Sequence, residues 1–154
     1  TGRIAKEVLD FGYKNFVGID ISPKTIRRAK VNLSNFTDIE LIVADIVNYS
    51  PRKKFDIIYS VLTFMHIKRK KDALKNMISL LKPNGIIVLS LNQEQNEWLD
   101  YGNRKIKLHI NDVNKYIEWF QELYCEVEMT VDLIDEIDDN IKKHIATIIK
   151  TRKK

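Results

Sequence analysis

Three polar side chains each follow a short apolar run, at the point where a predicted strand ends: Asp20, Asp45 and Ser60. In a sheet whose parallel strands alternate with helices, the carboxyl ends of the strands meet at one edge, and ligands bind outside that edge. A carboxylate has two oxygens, so Asp20 can accept hydrogen bonds from two neighbouring hydroxyl groups, such as those of a ribose. An aspartate after a strand is also typical of a simple turn or a helix cap, and the sequence leaves both interpretations open.

A second set of candidate residues combines ionisable and aromatic side chains. His66 follows the third predicted strand, and imidazole is the side chain whose ordinary pKa suits proton transfer near neutral pH. Met65 is a candidate wall of the same pocket. Residues 92–110 form a long polar connection, and four of its side chains can combine an apolar wall with an anion contact: Trp98, Tyr101, Arg104 and His109. Core or surface roles remain equally compatible with all of these residues.

The composition is typical of one folded domain. The chain has 154 residues, of which 44% are hydrophobic and 31% charged, a balance that suits a continuous core. No apolar run approaches the roughly 20 residues that span a bilayer, and no secretion signal is visible, so we predict a cytoplasmic protein without a membrane partner. Cys125 is the single cysteine, which predicts neither a disulfide nor a metal site.

The charge distribution adds a weaker indication. Lys and Arg outnumber Asp and Glu by 26 to 21, and the excess lies mainly at residues 52–54, 68–71 and 152–154. Such runs are usually solvated surface. The run from Lys68 to Lys71 is less ordinary, because cations at a predicted helix start oppose the helix dipole by a few tenths of a kcal/mol each. An anionic partner, including nucleic acid, would offset that cost, although solvated surface is favoured.

The elements that position these residues alternate between helices and strands. This alternation predicts an α/β fold with a doubly wound, mostly parallel sheet. The last two strands lack a strong helix between them, which predicts a C-terminal antiparallel hairpin. Helical spacing predicts helices at 2–11, 22–33, 70–81 and 112–123; apolar runs predict strands at 16–19, 40–44, 55–60, 86–91, 125–133 and 145–149, with a turn at 83–85.

The same patterns predict which side chains are buried. Ile26, Ala29 and Leu33 should face the core from the second helix, and the continuous apolar run 86–91 suits a strand covered on both faces. Apolar and polar residues alternate along 125–133, which predicts a strand with one buried face and one wet face. The buried face would consist of Cys125, Val127, Met129, Val131 and Leu133.

Five segments occur in a characteristic order: Thr1–Arg3, Val17–Pro23, Ala44–Ile46, Phe55–Ser60 and Leu80–Gly85. Taken together they resemble class I S-adenosylmethionine-dependent methyltransferases, and the resemblance spans most of the chain. It implies a Rossmann-like fold and S-adenosylmethionine as cofactor. Nicotinamide dehydrogenases also have an acid after the second strand of their fold, the position that Asp20 takes here. The ordered set of segments is therefore more specific than any one motif.

The resemblance implies a role for each matching residue. Gly2 is the last glycine of the cofactor loop, where a missing side chain lets the backbone approach the ligand. Asp20 holds the ribose, and Asp45 accepts the exocyclic amine of adenine. The remaining implied contacts are packing of Ile21 on adenine, a backbone contact from Ile46 to the ring edge, and a border around the methionine moiety formed by Ser60 and Val61.

The sequence departs from the family pattern in two places. Asn84 stands where many relatives have a first glycine before Gly85, and asparagine tolerates the left-handed conformation. The chain also begins within the glycine loop, without the strand that should precede it. That strand would occupy the middle of the sheet, and its loss would leave unpaired edges in the core. We therefore expect a single domain over 1–154 that is truncated at its N-terminus.

The implied reaction is an in-line displacement, for which positioning and exclusion of water supply most of the acceleration. His66 is the candidate base for an acceptor that must lose a proton. Relatives that methylate exocyclic base amines usually carry Asn or Asp, two prolines and an aromatic residue after the fourth strand of the family fold. That strand corresponds to residues 55–60 of this chain. This chain has Ser60-Val61-Leu62-Thr63 there, which favours a small-molecule acceptor over nucleic acid.

Two other functions remain open on the sequence. One is a nicotinamide-dependent oxidoreductase with the same opening unit. The other is a binding module that has lost cofactor affinity and contacts RNA through Lys68 to Lys71 and the basic tail. The identity of the methyl acceptor and the oligomeric state are not encoded in any motif.

Overall fold

The computed structural model describes residues 1–92, 97–138 and 141–154, and the side chains of all of these except 135–138 and 141–145. The chain divides into two units, Thr1–Tyr49 and Ser50–Lys154. Each unit contains a pair of parallel strands.

Two helices and two strands alternate in the first unit: α1 (Arg3–Asp10), β1 (Phe16–Asp20), α2 (Pro23–Asn32) and β2 (Ile39–Val43). Local signals place α2 where the sequence predicted it. Ser22 Oγ accepts a hydrogen bond from the Thr25 amide at 3.3 Å, and Pro23 occupies the first turn. The predicted inner face of this helix is confirmed, since Ile26, Ala29 and Leu33 are all buried.

The second unit contains β3 (Phe55–Val61), a 3-10 turn (Phe64–His66), α3 (Lys70–Leu80), β4 (Leu81–Asn92), β5 (Trp98–Asp100), β6 (Lys105–Lys107), α4 (Val113–Glu122), β7 (Cys125–Asp138) and β8 (Ile141–Lys153). Its main sheet has the strand order β3-β4-β8-β7. β3 and β4 are parallel, whereas β8 runs antiparallel to both β4 and β7. The predicted terminal hairpin is thus confirmed, with longer strands than the sequence indicated.

One face of this sheet is much better covered than the other. Ile87, Leu89 and Leu91 of β4 are buried, but the residues between them are partly exposed, so the prediction that β4 is covered on both faces was wrong. The predicted apolar face of β7 also fails beyond Val127. A register shift there pairs Val127 with Thr151 and Met129 with Lys150. Because neighbouring residues face opposite sides, this bulge turns three apolar side chains toward solvent: Met129, Val131 and Leu133.

Two predicted connections contain more structure than expected. The segment 83–85, predicted as a turn, lies inside β4 as a bulge, because Leu81 pairs with Phe55 and Ile86 already pairs with Ile57. The connection predicted at 92–110 contains a small hairpin, in which β5 and β6 pair antiparallel. These strands are three residues long, too short to produce a detectable alternation. Residues 93–96 of this predicted connection lie outside the described part of the chain.

Candidate functional site

The carboxyl ends of β1 and β2 bring the two predicted aspartates to one edge. Asp20 is the last residue of β1 and is paired with Val43, the last residue of β2. The Ala44 amide donates a hydrogen bond to the Asp20 carbonyl at 3.1 Å, which continues the pairing beyond the strands. Asp45 follows directly. The parallel direction of the strands, set by the intervening α2, is what places both acids at the same edge.

Each aspartate also stabilises a local turn, which was the second interpretation that the sequence left open. Asp20 Oδ1 accepts a hydrogen bond from the Ser22 amide at 2.8 Å, and Asp45 Oδ1 accepts one from the Val47 amide at 2.9 Å. Among the described residues, no donor contacts the Oδ2 atom of either side chain. The turn interpretation therefore holds for one oxygen of each carboxylate, and the second oxygen can accept a hydrogen bond from a ligand.

Gly2 has a conformation that requires glycine. It caps α1 with a φ of 86°, and a Cβ at this position would lie 3.1 Å from the buried Leu33 side chain. Side chains are strained at such a φ, so the backbone here must be that of glycine. This agrees with the close backbone approach implied by the family resemblance.

The apolar residues beside the two aspartates differ in exposure. The Ile21 side chain is 72% exposed, although it is a large hydrophobic residue. Ile46 is half-buried. Oxygen acceptors next to an exposed apolar side chain match the surface of a nucleoside, which has hydroxyl and amine donors and an apolar ring face.

The end of β3 carries an unusual backbone. Ser60 and Val61 are the last residues of this strand, and the following Leu62 has a φ of 50°. Its amide donates to the Ser90 carbonyl at 2.9 Å. A left-handed leucine costs roughly 1–2 kcal/mol, and such outliers cluster at functional sites. No sequence signal predicts this conformation, because leucine has no preference for it.

The 3-10 turn after β3 holds Met65 and His66. His66 is exposed, whereas Met65 accepts a hydrogen bond through its carbonyl from the His109 amide at 2.7 Å. Met65 and His109 line the same cavity, together with residues at the carboxyl end of β4 and Tyr116. Its volume of about 10 Å³ admits roughly one water molecule. This enclosed space is therefore smaller than any methyl acceptor.

The hairpin β5–β6 presents the other predicted acceptor residues to solvent. Trp98 and Tyr101 are both more than half exposed. The Arg104 guanidinium lies 5.2 Å from the centre of the Tyr101 ring, and the Lys107 ammonium lies 5.9 Å from that of Trp98. Trp98, Tyr101 and Arg104 do not line the cavity that contains Met65 and His109.

A buried lysine links α3 to His109. The Lys70 side chain is 3% exposed, and its ammonium donates a hydrogen bond to the His109 carbonyl. Burial lowers the pKa of Lys70 to about 8. The pKa of the His109 imidazole is lowered from its ordinary value, first by burial and then by the charges of Lys70, Lys107 and Lys68. No sequence pattern singled out Lys107, and Lys68 and Lys70 were recognisable only as part of a basic run.

Two cations of the basic run at residues 68–71 form ion pairs with acidic residues. Arg69 pairs with Asp72 at 2.7 Å, and Lys71 pairs with Glu122. The side chains of both pairs are about half exposed or more, and such contacts contribute little to stability. Neither charge is therefore part of a continuous uncompensated strip.

Two absences concern the described part of the chain. Within residues 1–92, 97–138 and 141–154, no cluster of three or more histidine, cysteine or acidic side chains has the arrangement of a metal site. The same ranges contain no helix with the length and apolar character needed to cross a bilayer.

Parallel strands that alternate with helices and end in acids define a Rossmann-like, nucleoside-binding class of α/β protein. Residues 1–149 match the family described as "Methyltransferase domain". The chain therefore belongs to this family, and the predicted membership of the class I S-adenosylmethionine-dependent methyltransferases is confirmed.

Two curated relatives illustrate the sequence similarity. A malonyl-[acyl-carrier protein] O-methyltransferase from Ilyobacter polytropus is 36% identical over 91 residues, which cover 58% of this chain and 35% of that protein. A trans-aconitate 2-methyltransferase from Escherichia fergusonii is 29% identical over 125 residues, covering 73% and 47%. The chain thus spans between about a third and a half of these relatives.

Solved structures agree on the fold. An S-adenosylmethionine-dependent methyltransferase from Mesorhizobium loti superposes with a TM-score of 0.82 at 15% identity, covering 99% of this chain and 86% of that one. One from Clostridium acetobutylicum gives 0.76 at 14% identity, covering 96% and 78%. The predicted Rossmann-like α/β class is confirmed by this likeness.

Proposed function

We propose that this chain is the S-adenosylmethionine-binding part of an enzyme that methylates a small-molecule acceptor. The observation that carries the proposal is the position of Asp20 and Asp45 at one edge of the β1–β2 pair. Membership of the methyltransferase domain family supports it, because ligands in doubly wound α/β folds bind outside the carboxyl ends of the strands. A nicotinamide oxidoreductase has no comparable support.

The residues at this edge suit the groups of the proposed cofactor. Ionised carboxylates are acceptors only, so Asp20 suits the ribose hydroxyls and Asp45 suits the exocyclic amine of adenine. The exposed Ile21 side chain supplies an apolar surface for the ring. The remaining proposed contacts are the Gly2 and Ile46 backbones in the first unit, and Ser60 with Val61 at the end of β3 in the second.

In the proposed reaction, the main role of the protein is to position the methyl acceptor. S-adenosylmethionine, when bound, supplies a methyl group on a positively charged sulfur. The chain orients the acceptor in line with that group and excludes water, which accounts for most of the rate in such displacements. For an acceptor hydroxyl or amine, a proton must also leave. His66 is the proposed base, because it is exposed directly after β3.

The proposed acceptor is a small molecule. Its proposed contacts are Met65 in the 3-10 turn, His109 beside that turn, and three residues of the hairpin segment: Trp98, Tyr101 and Arg104. The names of the curated relatives support an acceptor other than a nucleic-acid base. The Ser60–Thr63 segment supports the same choice, because it lacks the prolines and aromatic residue of base-methylating relatives.

We also propose that the whole protein contains a further strand upstream of Thr1. Among the described residues, β1 pairs only with β2 and β3 pairs only with β4. A parallel strand would satisfy the backbone groups along such an open edge. Mass spectrometry of the intact protein from its natural source should give a mass above 18.1 kDa. A mass equal to that of residues 1–154 would overturn this proposal.

Calorimetric titration of the full-length protein tests the proposed function. S-adenosylhomocysteine should bind, because it retains the adenosyl group that Asp20 and Asp45 are proposed to hold. NAD and NADP should give no heat of binding. If a nicotinamide cofactor binds instead, the protein is an oxidoreductase. If none of the three binds, the fold serves as a binding module without cofactor affinity.

A further inference from the structure

His109 is fixed at the carboxyl ends of β3 and β4. Its amide donates to the Met65 carbonyl at 2.7 Å, in the turn directly after β3. Its own carbonyl accepts a hydrogen bond from the Lys70 ammonium at the start of α3. It also lines a cavity with Leu91 and Asn92, the last residues of β4. The imidazole therefore lies at the sheet edge where ligands bind in this class of fold.

Positive charge collects around this imidazole. Lys107 precedes His109 by two residues, and Lys68 precedes by two residues the Lys70 whose ammonium contacts the His109 carbonyl. All three lysines lower the pKa of the imidazole, and Glu97, within the described part of the chain, opposes them. In the ranges that the structure describes, none of the three lysines has a carboxylate partner. Cations next to them in sequence do have such partners: Arg69 with Asp72, Lys71 with Glu122, and Lys105 with Asp100.

Uncompensated cations at one place repel each other, and burial increases the repulsion. Lys70 is buried, and its hydrogen-bond partner is a neutral carbonyl that does not compensate its charge. Lys68 and Lys107 are exposed, so their ammonium groups remain accessible to a ligand. A small anion bound beside His109 would offset this repulsion. The Lys107 ammonium lies over the Trp98 ring, which favours its charge, but repulsion among the three ammonium groups and the burial of Lys70 both oppose folding.

We infer that the methyl acceptor carries an oxyanion, a carboxylate or a phosphate, bound by Lys68, Lys107 and the His109 imidazole. This inference rests on the proposed function, because it names the substrate class for that same site. Lysines bind either oxyanion as flexible point charges, so the shared chemistry is a compact negative group. The buried Lys70 is a positioning residue, which holds His109 through its backbone.

The test is an NMR titration of the His109 imidazole in the full-length protein saturated with S-adenosylhomocysteine. Succinate and inorganic phosphate are the two oxyanion probes, and succinamide is the neutral control. A bound anion stabilises the imidazolium, so the pKa of His109 should rise by about one unit. Only the preferred oxyanion should produce the full rise, which distinguishes a carboxylate acceptor from a phosphate acceptor.

A double variant shows whether the lysines bind the probe. The double variant Lys68→Gln/Lys107→Gln should bind the preferred oxyanion at least tenfold more weakly than wild type. Lys75 is an exposed lysine of α3, and Lys75→Gln should leave the affinity unchanged. If neither oxyanion shifts His109 while S-adenosylhomocysteine binds, the inference is wrong and the proposed function stands. Equal affinity in the double variant also overturns the inference. Failure of S-adenosylhomocysteine to bind overturns the function, and the inference with it.

Discussion

At the scale of single residues, burial of the Lys70 ammonium lowers the stability of the folded protein. This residue begins α3, where the helix dipole is positive, and it is almost completely buried. Its hydrogen-bond partner is the His109 carbonyl, which does not compensate the charge. The pKa of Lys70 therefore falls from an ordinary 10.5 to about 8. The folded state carries the full cost of the ammonium below pH 8.

This cost predicts an unusual pH dependence of stability. Between about pH 8 and 10.5, Lys70 is neutral in the folded protein but still protonated in the unfolded chain. Stability therefore rises with pH in that window, by about 3 kcal/mol for this group. Urea unfolding at pH 7.5, 8.5 and 9.5 should show that Lys70→Met removes this rise, whereas Lys75→Met retains it. Parallel pH profiles for wild type and Lys70→Met would contradict the assignment.

Single residues also differ in how well the sequence predicts them. Asp20 and Asp45 were placed correctly at one edge, because strand ends and parallel direction follow from local patterns. The cluster around His109 was not predicted. Lys68 and Lys107 are far apart in the chain, and Lys107 belongs to the β5–β6 hairpin, whose strands are too short to detect.

At the scale of elements, the bulge at residues 82–85 joins a helix directly to a strand. Asn84 has a φ of 60°, the left-handed conformation that the sequence predicted for it. Gly85 is constrained differently. A Cβ there would lie 2.9 Å from the Lys82 carbonyl oxygen and 3.0 Å from Leu81 Cβ. These neighbours belong to the bulge itself and cannot easily move aside.

Substitution of Gly85 should destabilise the fold, whereas substitution of Asn84 should have little effect. Gly85→Ala should lower the free energy of unfolding by about 1–3 kcal/mol, because the added methyl group overpacks the bulge. Asn84→Gly should change it by less than about 1 kcal/mol, because glycine adopts the left-handed conformation freely. Urea unfolding at one pH measures both. Wild-type stability of Gly85→Ala would contradict the predicted overpacking of the bulge.

The strands show where periodicity stops being informative. Apolar alternation located β7, but it continued through a bulge that reverses the faces, so Met129 and Val131 were assigned to the core and are exposed. A binary pattern contains no mark of an inserted residue. The helices were predicted more closely, because capping residues such as Ser22 and Asp112 fix their starts.

At the scale of the whole molecule, alternation of helices and strands was sufficient to predict the α/β class and the terminal hairpin. The ordered motifs then predicted the family, which the match over residues 1–149 confirms. Substrate identity depends on loops and side-chain clusters, which vary between members of one fold. The β1–β2 edge is therefore the feature on which the functional account depends.

The most direct test of this account is the dissociation constant of S-adenosylhomocysteine for two matched variants of the full-length protein. Asp20→Ala removes the proposed ribose acceptor and should weaken binding about 10- to 100-fold, since hydrogen bonds to a charged group contribute about 1.5–3 kcal/mol. Asp38→Ala removes an exposed aspartate before β2, at the opposite end of the strand, and should bind like wild type. Wild-type affinity in a correctly folded Asp20→Ala variant would contradict the proposed site.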